Sequence, residues 1–306
     1  MKIEYAIIIK SKTRLESLID RFNTKAQAKF YIESSGGNFE DYELEHHTFH
    51  QSLNALQSRL TNLIKYKIID KEFLSSFIFS ENQMIIVIGR DGLVANTAKY
   101  ANGIPIIAVN PDPDRHDGVL LPFDPASFVG GVEGVMHQQF EAKTVRFAEA
   151  RLNDGQRLLA FNDLFIGAAT HVSARYKISF RQKTEEHSSS GIIVSTQAGA
   201  TGWMSSIFNM AEGLVGLFEQ NHHLQRPQLK DNQLLFTVRE PFKSVRTQTD
   251  VLAGLINGQN TLTIESLMPG GGVIFSDGIE SDFLAFNSGA VVTVGVAGVG
   301  ARLVLK

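Results

Sequence analysis

The segment Gly89-Arg90-Asp91-Gly92 places a cation and a carboxylate between two glycines, a combination that could bind phosphate or transfer a proton. It follows an apolar run, Met84–Ile88, and precedes a helix-length segment, Leu93–Ala101. A glycine turn at the start of a helix presents free backbone N–H groups and the positive end of the helix dipole, which together favour phosphate. A carboxylate there would repel phosphate unless Asp91 accepted a proton from a hydroxyl or held Mg²⁺. An N-cap Asp91 and a turn Gly92 would explain the same pattern equally well.

A second segment, residues 191–203, reads as a strand followed by a small-residue turn and a helix. It contains three hydroxyl side chains, two glycines in the turn and the single tryptophan of the chain: Ser195, Thr196, Thr201, Gly199, Gly202 and Trp203. Glycines allow a ligand to approach the backbone closely, and an aromatic ring can stack on a nucleobase. A tryptophan at such a turn is also a common core residue, so both interpretations stay open.

Three further patterns are weaker. The pair Asn162-Asp163 follows an apolar strand and is, in isolation, a turn signal. The acidic residues 109–118 resemble a calcium loop but lack the ligand positions and distal glutamate of an EF-hand. Five histidines lie in polar segments without a carboxylate at metal spacing, so we expect solvated surface there and no metal site; they are His46, His47, His50, His222 and His223.

The front of the chain alternates strands and helices, as the first segment requires. Strand, glycine turn, helix and strand follow one another within residues 84–109, which predicts a βαβ unit with parallel strands. The expected elements are strands at Tyr5–Ile9, Met84–Ile88 and Pro105–Val109, and helices at Leu15–Phe30, around Leu53–Ile64 and at Leu93–Ala101. We therefore predict an α/β domain over residues 1–125 with a doubly wound, mostly parallel sheet.

From about Phe128 the pattern changes to short apolar stretches separated by turn signals. We expect strands at Arg157–Phe161, Ala174–Phe180, Gly191–Thr196, Leu234–Val238, Thr261–Ile264, Gly272–Phe275, Ala290–Val296 and Arg302–Leu305. One helix, Thr201–Glu219, and a surface loop, Gln220–Gln233, complete the prediction. Residues 126–306 thus form a β-rich domain, whose last strand can return to the first domain.

Composition excludes several classes of function. The 306 residues contain 29 Lys and Arg against 32 Asp and Glu, a formal charge of −3, which argues against a nucleic-acid partner. Cysteine is absent, which excludes thiol catalysis, cysteine–zinc sites and disulfides. No run of about 18 apolar residues could span a bilayer, so no membrane partner is expected. The chain reads as mature from Met1, and a reduced cytoplasm fits its composition.

Taken in order, these segments resemble the NAD kinase family, within the superfamily that also holds diacylglycerol and sphingoid-base kinases. Its Gly-Gly-Asp-Gly motif is similar to Gly89–Gly92, and its Asn-Glu/Asp pair to Asn162-Asp163. Its Thr-Pro-Thr-Gly-Ser-Thr-Ala-Tyr turn resembles residues 196–203, and its late Asp-Gly resembles Asp277-Gly278. The resemblance runs from about residue 5 to the end of the chain.

The branch typified by the mitochondrial NAD kinase is the most similar. It shares Lys12-Thr13-Arg14, Val109-Asn-Pro-Asp-Pro-Asp-Arg115, Asp163-Leu-Phe-Ile-Gly167, Ser173-Ala-Arg-Tyr176, Ser189-Ser-Gly191, Arg239-Glu-Pro241 and a tryptophan at the position of Trp203. Because no mitochondrial presequence is visible, we expect a bacterial-type cytoplasmic protein. Family members assemble through the β-rich domain, which implies a homodimer or homotetramer.

The resemblance implies transfer of a phosphoryl group from ATP, or from polyphosphate in some members, to the 2′-hydroxyl of the adenosine ribose of NAD. Asp91 would accept the hydroxyl proton, Asn162 and Asp163 would hold adenine and ribose, and Trp203 would stack on or enclose a base. The turn residues Ser195, Thr196, Gly199 and Thr201 would bind the dinucleotide beside them. Two polyanions need local cations, for which Mg²⁺ and five side chains are candidates: Lys12, Arg14, Arg90, Arg115 and Arg175.

Departures from the family pattern leave alternatives open. Arg90 stands where the family has a second glycine, Leu93 replaces a threonine, and Ala198 and Ala200 replace hydroxyl residues. The acceptor could therefore be another hydroxyl compound, such as a lipid or a sugar. The chain could also be a non-catalytic nucleotide sensor whose active turn is spoiled.

Overall fold

The computed structural model describes residues 2–218 and 224–306. The chain divides into two compact units, Met1–Thr144 with Ala301–Lys306, and Val145–Gly300. The sequence placed the change of architecture near residue 125. The first unit extends further because the helix Phe128–Met136 buries Phe128, Val132 and Val135 in that unit's core.

The first unit is built on a parallel sheet. Its elements are β1 (Tyr5–Lys10), α1 (Arg14–Phe22), α2 (Lys25–Ser34), α3 (Phe39–Leu60), β2 (Lys65–Asp70), β3 (Gln83–Ile88), α4 (Asp91–Ala98), β4 (Pro105–Val109) and α5 (Phe128–Met136). The strands lie in the order β2-β1-β3-β4, all parallel, and residues 302–303 of the last strand of the chain add beside β4. The expected βαβ unit is therefore β3-α4-β4.

Continuous apolar runs explain why β1, β3 and β4 occupy the middle of this sheet. Their central residues are almost completely buried, as expected for parallel strands covered on both faces. The single helix expected over residues 15–30 is two helices. Asn23 adopts the left-handed conformation (φ 65°) at the end of α1, and the Thr24 side chain caps the start of α2.

The second unit is β-rich, as the sequence predicted. Its elements are β5 (Ala142–Leu152), which begins in the first unit, β6 (Arg157–Ala160), β7 (Asp163–Ala168), β8 (Ala174–Phe180), β9 (Lys183–Ser189), β10 (Ile192–Ser195), α6 (Trp203–Val215), β11 (Leu234–Val238), β12 (Ala253–Ile256), β13 (Leu262–Ser266), β14 (Gly272–Ser276), β15 (Ile279–Ala285) and β16 (Val291–Val304). One sheet has the order β12-β11-β10-β7-β14-β15, and the other contains β5, β6, β8, β9, β13 and the front of β16. Apolar side chains from both sheets, including Ile166, Ile274, Tyr176 and Ile264, form the core of this unit.

The structure corrects several expected elements. The two strands expected at Ala290–Val296 and Arg302–Leu305 are one strand, β16, which continues through the glycines between them. Its front pairs with β13, and residues 302–303 pair with β4. The polar strand β9 was missed because it has no alternating apolar residues; its complete pairing with β8 supplies its stability. Helix α6 ends at Val215, and the predicted end at Glu219 lies outside the described residues, as do residues 220–223. Residues 224–233 form no helix or strand.

None of the helices in the described part of the chain combines the length and apolarity needed to cross a membrane.

Candidate functional site

The Gly89–Gly92 turn lies where a parallel strand ends and a helix begins. Strand β3 ends at Ile88 and α4 begins at Asp91, with Arg90 as an extended N-cap residue (φ −108°, ψ 165°). A Cβ on Gly89 would lie 2.9 Å from Cδ2 of Leu93, so a larger residue would displace that side chain. A Cβ on Gly92 would meet open space. The turn therefore has the backbone arrangement that binds anions at helix N-termini.

A cavity of about 320 Å³ opens beside this turn in the first unit. It brings together five residues that the sequence predicted, namely Lys12, Arg14, Gly89, Arg90 and Gly92. It is also lined by Glu45 and Asp112, which sequence reasoning did not assign to the site. Asp112 belongs to the segment 109–115 that resembles the family, whereas Glu45 lies in a helix with no motif, so only Asp112 had a sequence signal.

The cations at the cavity are held by carboxylates. The guanidinium groups of Arg14 and Arg90 both donate to Oε2 of Glu45, in the case of Arg90 over 3.4 Å. The Lys12 ammonium group contacts Asp20 at 2.8 Å and Glu72 at 3.3 Å, and these two hydrogen bonds raise the pKa of Lys12. Three positive charges therefore lie at one cavity, each exposed enough to exchange its partner for a ligand.

Asp91 is the first residue of α4 and does not act as its N-cap. Its carboxylate accepts hydrogen bonds from the backbone N–H groups of Leu120 (2.7 Å to Oδ1) and Val119 (3.3 Å to Oδ2). Asp91 is half-buried, and it lies next to the cavity-lining residues Arg90 and Gly92 without itself lining the cavity. The sequence alternative of an N-cap aspartate is therefore wrong, since the side chain fixes a separate loop.

Asp112 lines the cavity and has a carboxylate oxygen that is incompletely paired. The residue is buried, and its Oδ2 has no hydrogen-bond partner among the described residues. The nearest cation is Arg115, whose Nη1 lies 3.9 Å away. The Asn110 side chain accepts a hydrogen bond from the Asp112 N–H and donates to the carbonyl of His116. A buried, incompletely paired carboxylate oxygen favours binding of a cation or a donor group.

In the second unit, Asn162-Asp163 is held by Asp277. This aspartate and Gly278 form the two-residue turn between β14 and β15, with φ values of 55° and 70° that suit an Asp-Gly hairpin turn. The Asp277 carboxylate accepts from three consecutive backbone N–H groups, those of Phe161, Asn162 and Asp163, at 3.0, 2.6 and 3.2 Å. The hairpin turn thus fixes the backbone of the pair.

The Asp163 side chain is buried and pairs across the sheet with Ser195. The two residues are directly opposite in the β7–β10 ladder, so their side chains lie on the same face. Oδ1 of Asp163 has no hydrogen-bond partner within the described residues. Burial raises the pKa of Asp163 to about 7; a hydrogen bond from Ser195 opposes this effect, and the negative charge of Asp277 adds to it.

The hydroxyl-rich turn uses most of its polar groups internally. The Thr196 hydroxyl donates to the carbonyl of Phe161 at 2.6 Å and accepts from the Gly199 N–H at 3.2 Å. A Cβ on Gly199 would lie 2.3 Å from the carbonyl oxygen of Asn162, so only glycine fits there. Ser195 and Thr196 are fully buried, whereas Thr201 is exposed. Thr196 and Gly199 therefore hold the turn against Asn162.

An aromatic cavity of about 840 Å³ lies in the same unit. Trp203, the first residue of α6, stacks on Phe165 with ring centroids 6.0 Å apart, and the Arg239 guanidinium lies 5.6 Å from the indole centroid. Phe275 and Phe283 also line the cavity. Trp203 is thus both a packed residue and a cavity wall. Phe275 was missed because its apolar strand has the pattern of ordinary core, and Phe283 because no strand was expected over β15.

The structure also corrects the interpretation of two histidines. His46 and His50 lie on one face of α3 against Glu16 of α1, and His50 Nε2 is 3.1 Å from Glu16 Oε1. The carboxylate comes from another helix, thirty residues earlier in the chain, so spacing within the histidine segment could not show it. Burial opposes ionisation of Glu16, but hydrogen bonds from Thr13 and His50 outweigh it and lower its pKa; burial and the neighbouring His50 lower the pKa of His46. His47 is exposed, and His222 and His223 lie outside the described residues.

Comparison with known proteins identifies the fold. No protein-family model matches the chain, and no curated protein matches it in sequence. Among solved structures, yeast NADH kinase complexed with NADH is similar over 100% of this chain and 84% of its own, with 13% identity and a TM-score of 0.62. An NAD kinase from Archaeoglobus fulgidus in complex with ATP is similar over 98% of this chain and 92% of its own, with 13% identity and a TM-score of 0.56.

The chain has the fold of these kinases. The predicted fold class is therefore confirmed: an α/β unit with a mostly parallel sheet, followed by a β-rich unit. At 13% identity the likeness establishes the fold, while the activity depends on the residues of the two sites.

Proposed function

We propose that this protein is an NAD kinase, which transfers the γ-phosphoryl group of ATP to the 2′-hydroxyl of the adenosine ribose of NAD and gives NADP and ADP. One observation carries the proposal. The fold is similar, over 98–100% of the chain, to an NADH kinase complexed with NADH and an NAD kinase in complex with ATP, and Asp91 begins a helix next to two residues that line a cationic cavity.

The cavity of the first unit suits a polyphosphate. Free N–H groups at the start of α4 and the side chains of Lys12, Arg14 and Arg90 offer charge-assisted hydrogen bonds to phosphate oxygens. Glu45 now accepts from both arginines and keeps them at the cavity. When a phosphate binds, its oxygens would take the place of the Glu45 carboxylate as acceptors for the two guanidinium groups. Because the formal charge of the chain is −3, such a local concentration of cations is required.

Asp91 is the proposed general base. A carboxylate has about four lone-pair positions, and two of them accept the N–H groups of Leu120 and Val119. These bonds hold the carboxylate in one orientation and leave two positions for a substrate hydroxyl. In the proposed step the ribose 2′-oxygen forms a bond to the γ-phosphorus, the bond to the β–γ bridging oxygen breaks, ADP leaves, and Asp91 takes the hydroxyl proton. Such a base contributes about 10²- to 10⁴-fold to the rate.

Mg²⁺ bound to ATP is part of the proposal, and Asp112 is the residue that would help hold it. Its buried Oδ2 lacks a hydrogen-bond partner within the described chain, and Mg²⁺ prefers one or two carboxylates together with phosphates and water. The ion would neutralise charge on the phosphates during transfer.

The second unit is the proposed dinucleotide-binding part. Asn162 and Asp163 present an amide and a carboxyl group on a backbone that Asp277 fixes, and such groups can pair with adenine and ribose edges. The aromatic cavity with Trp203 offers ring surface for a base. Since Thr196 and Gly199 build the turn itself, we assign them a supporting role. Ser195 does not touch the ligand in this proposal and acts on it indirectly, by bonding to Asp163.

One observation favours the alternative of a non-catalytic nucleotide sensor. The Asp91 carboxylate accepts hydrogen bonds from a loop, and Asp91 does not line the cavity. In addition, Arg90 occupies the position of a family glycine and is paired with Glu45. A sensor would keep the binding groups and lose turnover.

Product formation distinguishes the two functions. The purified protein is incubated with NAD, Mg²⁺ and either ATP or polyphosphate, and NADP is measured with an NADP-specific dehydrogenase; NADH, a sugar and a lipid are tested as other acceptors. NADP formation supports the kinase. A rise in melting temperature with NAD or NADP but no phosphorylated product supports the sensor, and neither response contradicts both.

We also infer a cytoplasmic homodimer or homotetramer. The large exposed apolar side chains of the β-rich unit, including Val172, Phe242, Val245 and Phe283, support self-association. Light scattering coupled to size-exclusion chromatography should give the mass of two or four chains, and the mass of one chain would contradict this assembly.

A further inference from the structure

We propose that Glu16, His46 and His50 form a binding site for one divalent transition metal ion of the Zn²⁺ class in the first unit. Each residue offers one ligand atom, and the three atoms lie within 4.8 Å of one another. The site uses none of the groups assigned to nucleotides, so it is independent of the proposed kinase activity.

Two helices build the cluster. His46 and His50 are four residues apart on α3 and therefore project from the same face, with ring centroids 4.3 Å apart. Glu16 lies in the first turn of α1, which packs beside α3. Paired histidines at this spacing are a common way for a helix to supply two metal ligands.

The distances suit a small ion with nitrogen and oxygen ligands. Zinc–ligand bonds of about 2.0–2.1 Å in a tetrahedron separate neighbouring ligand atoms by about 3.3 Å. His50 Nε2 and Glu16 Oε1 are 3.1 Å apart, which is close to that separation. All three residues are only partly buried, so a rotation of the His46 ring can bring its nitrogen to the ion and water can occupy a fourth position.

Thr13 supplies the outer contacts that metal ligands usually require. Its backbone N–H donates to Oε2 of Glu16 at 2.7 Å, and its hydroxyl lies 2.9 Å from Nδ1 of His46. The first contact orients the carboxylate with Oε1 facing His50. The second engages one nitrogen of His46 and leaves Nε2 as the ligand. Thr13 is itself buried and fixed by the capping box of α1, so the Glu16 carboxylate is oriented before the ion arrives, whereas the His46 ring turns to complete the site.

The donor set selects the class of ion. Two imidazoles and one carboxylate suit Zn²⁺ and its transition-metal neighbours, whereas Mg²⁺ and Ca²⁺ prefer oxygen ligands. The site is therefore chemically distinct from the proposed Mg²⁺ position at Asp112. Thr13 and Arg14 also line the cavity, so a bound ion would restrain the turn that leads from β1 to this cavity wall.

Cobalt titration tests the site directly. Untagged full-length protein, freed of metal by a chelator, is titrated with Co²⁺ and followed by visible absorption. We expect one equivalent of Co²⁺ to give the d–d bands of a four- or five-coordinate ion, and Zn²⁺ to displace it. We also expect Zn²⁺ to raise the melting temperature at concentrations where Mg²⁺ has no effect.

Variants assign the ligands. His50→Gln and Glu16→Gln should each weaken Co²⁺ binding at least tenfold, while His47→Gln on the exposed face of the same helix should bind like the wild type. The absence of Co²⁺ bands in the wild type would overturn the proposal whether or not the variants fold. Equal binding by the wild type and a folded His50→Gln variant would also overturn it.

Discussion

Asp163 is a buried carboxyl group whose ionisation opposes folding. Its pKa rises from the ordinary value of 3.8 to about 7 in the folded protein, chiefly because of burial. Between about pH 4 and pH 7 the unfolded chain has lost this proton while the folded chain still holds it. Stability from this group is therefore highest below pH 4 and falls as the pH rises through that window, by up to about 1.4 kcal/mol per pH unit.

The Asp163→Asn variant removes this titration. We expect the melting temperature of the variant, relative to that of the wild type, to increase from pH 5 to pH 8, because the wild type pays for an ionised buried group only at the higher pH. Thermal unfolding in buffers across this range measures the difference. A difference that stays constant with pH would show that Asp163 has an ordinary pKa in the folded state.

Gly199 allows the hydroxyl-rich turn to contact Asn162. A Cβ there would meet the Asn162 carbonyl oxygen at 2.3 Å, so Gly199→Ala should shift this backbone, cost about 1–3 kcal/mol of stability and weaken NAD binding. Gly213→Ala is the matched control, since Gly213 lies in α6 with open space around it and alanine should stabilise the helix by about 0.5–1 kcal/mol. Denaturant unfolding and NAD titration compare the two variants. A Gly199→Ala variant as stable as the wild type and with unchanged NAD affinity would show that Gly199 is not needed for the contact with Asn162.

At the scale of elements, the β14–β15 hairpin positions the Asn162-Asp163 backbone through one side chain. Asp277→Asn keeps a residue that tolerates positive φ but replaces a charged acceptor of three N–H groups. We expect a loss of about 1.5–3 kcal/mol in the free energy of unfolding and weaker NAD binding.

Asp154→Asn is the control for this change. Asp154 also lies in a hairpin turn, but it is exposed, and its carboxylate accepts hydrogen bonds from Gln156 of the same turn. Its substitution should cost well under 1 kcal/mol. Denaturant unfolding measures the stability of both variants. Equal losses would show that the three hydrogen bonds accepted by Asp277 contribute no more to the free energy of unfolding than those of Asp154.

The sequence predicted the bounds of a strand correctly where its local apolar pattern matches its burial in the folded protein. The strand Pro105–Val109 and the strands Ala174–Phe180 and Leu234–Val238 have the predicted bounds because they are apolar or alternating and end at turn residues. Strand β9 was missed because its polar residues gain stability from tertiary pairing, with β8 on one side and with residues 242–251 on the other. The same limit applies to sites, since Glu45 and Glu16 reach their partners from helices that carry no motif.

At the scale of the whole molecule, the central claim is that a near-neutral chain with the fold of NAD kinases phosphorylates NAD. The sequence pattern located the Gly89–Gly92 turn, and the structure supplied the cations and carboxylates around it. Motif order along the chain therefore predicted the fold. The pairing of Arg14 and Arg90 through Glu45 depends on folding and could not be deduced from that order.

The most direct test is the initial rate of NADP formation from NAD, ATP and Mg²⁺ by the wild type and by Asp91→Asn. Asp231→Asn, the same chemical change at an exposed loop residue, is the control. We expect wild-type and control rates to agree and kcat of Asp91→Asn to fall by about 10²-fold or more. Because an amide keeps only one oxygen to accept the N–H groups of Leu120 and Val119, the variant is expected to melt at a lower temperature, and all rates are measured well below that temperature. Equal rates for the wild type and Asp91→Asn would contradict the assignment of the base. No NADP from the wild type would contradict the proposed activity itself.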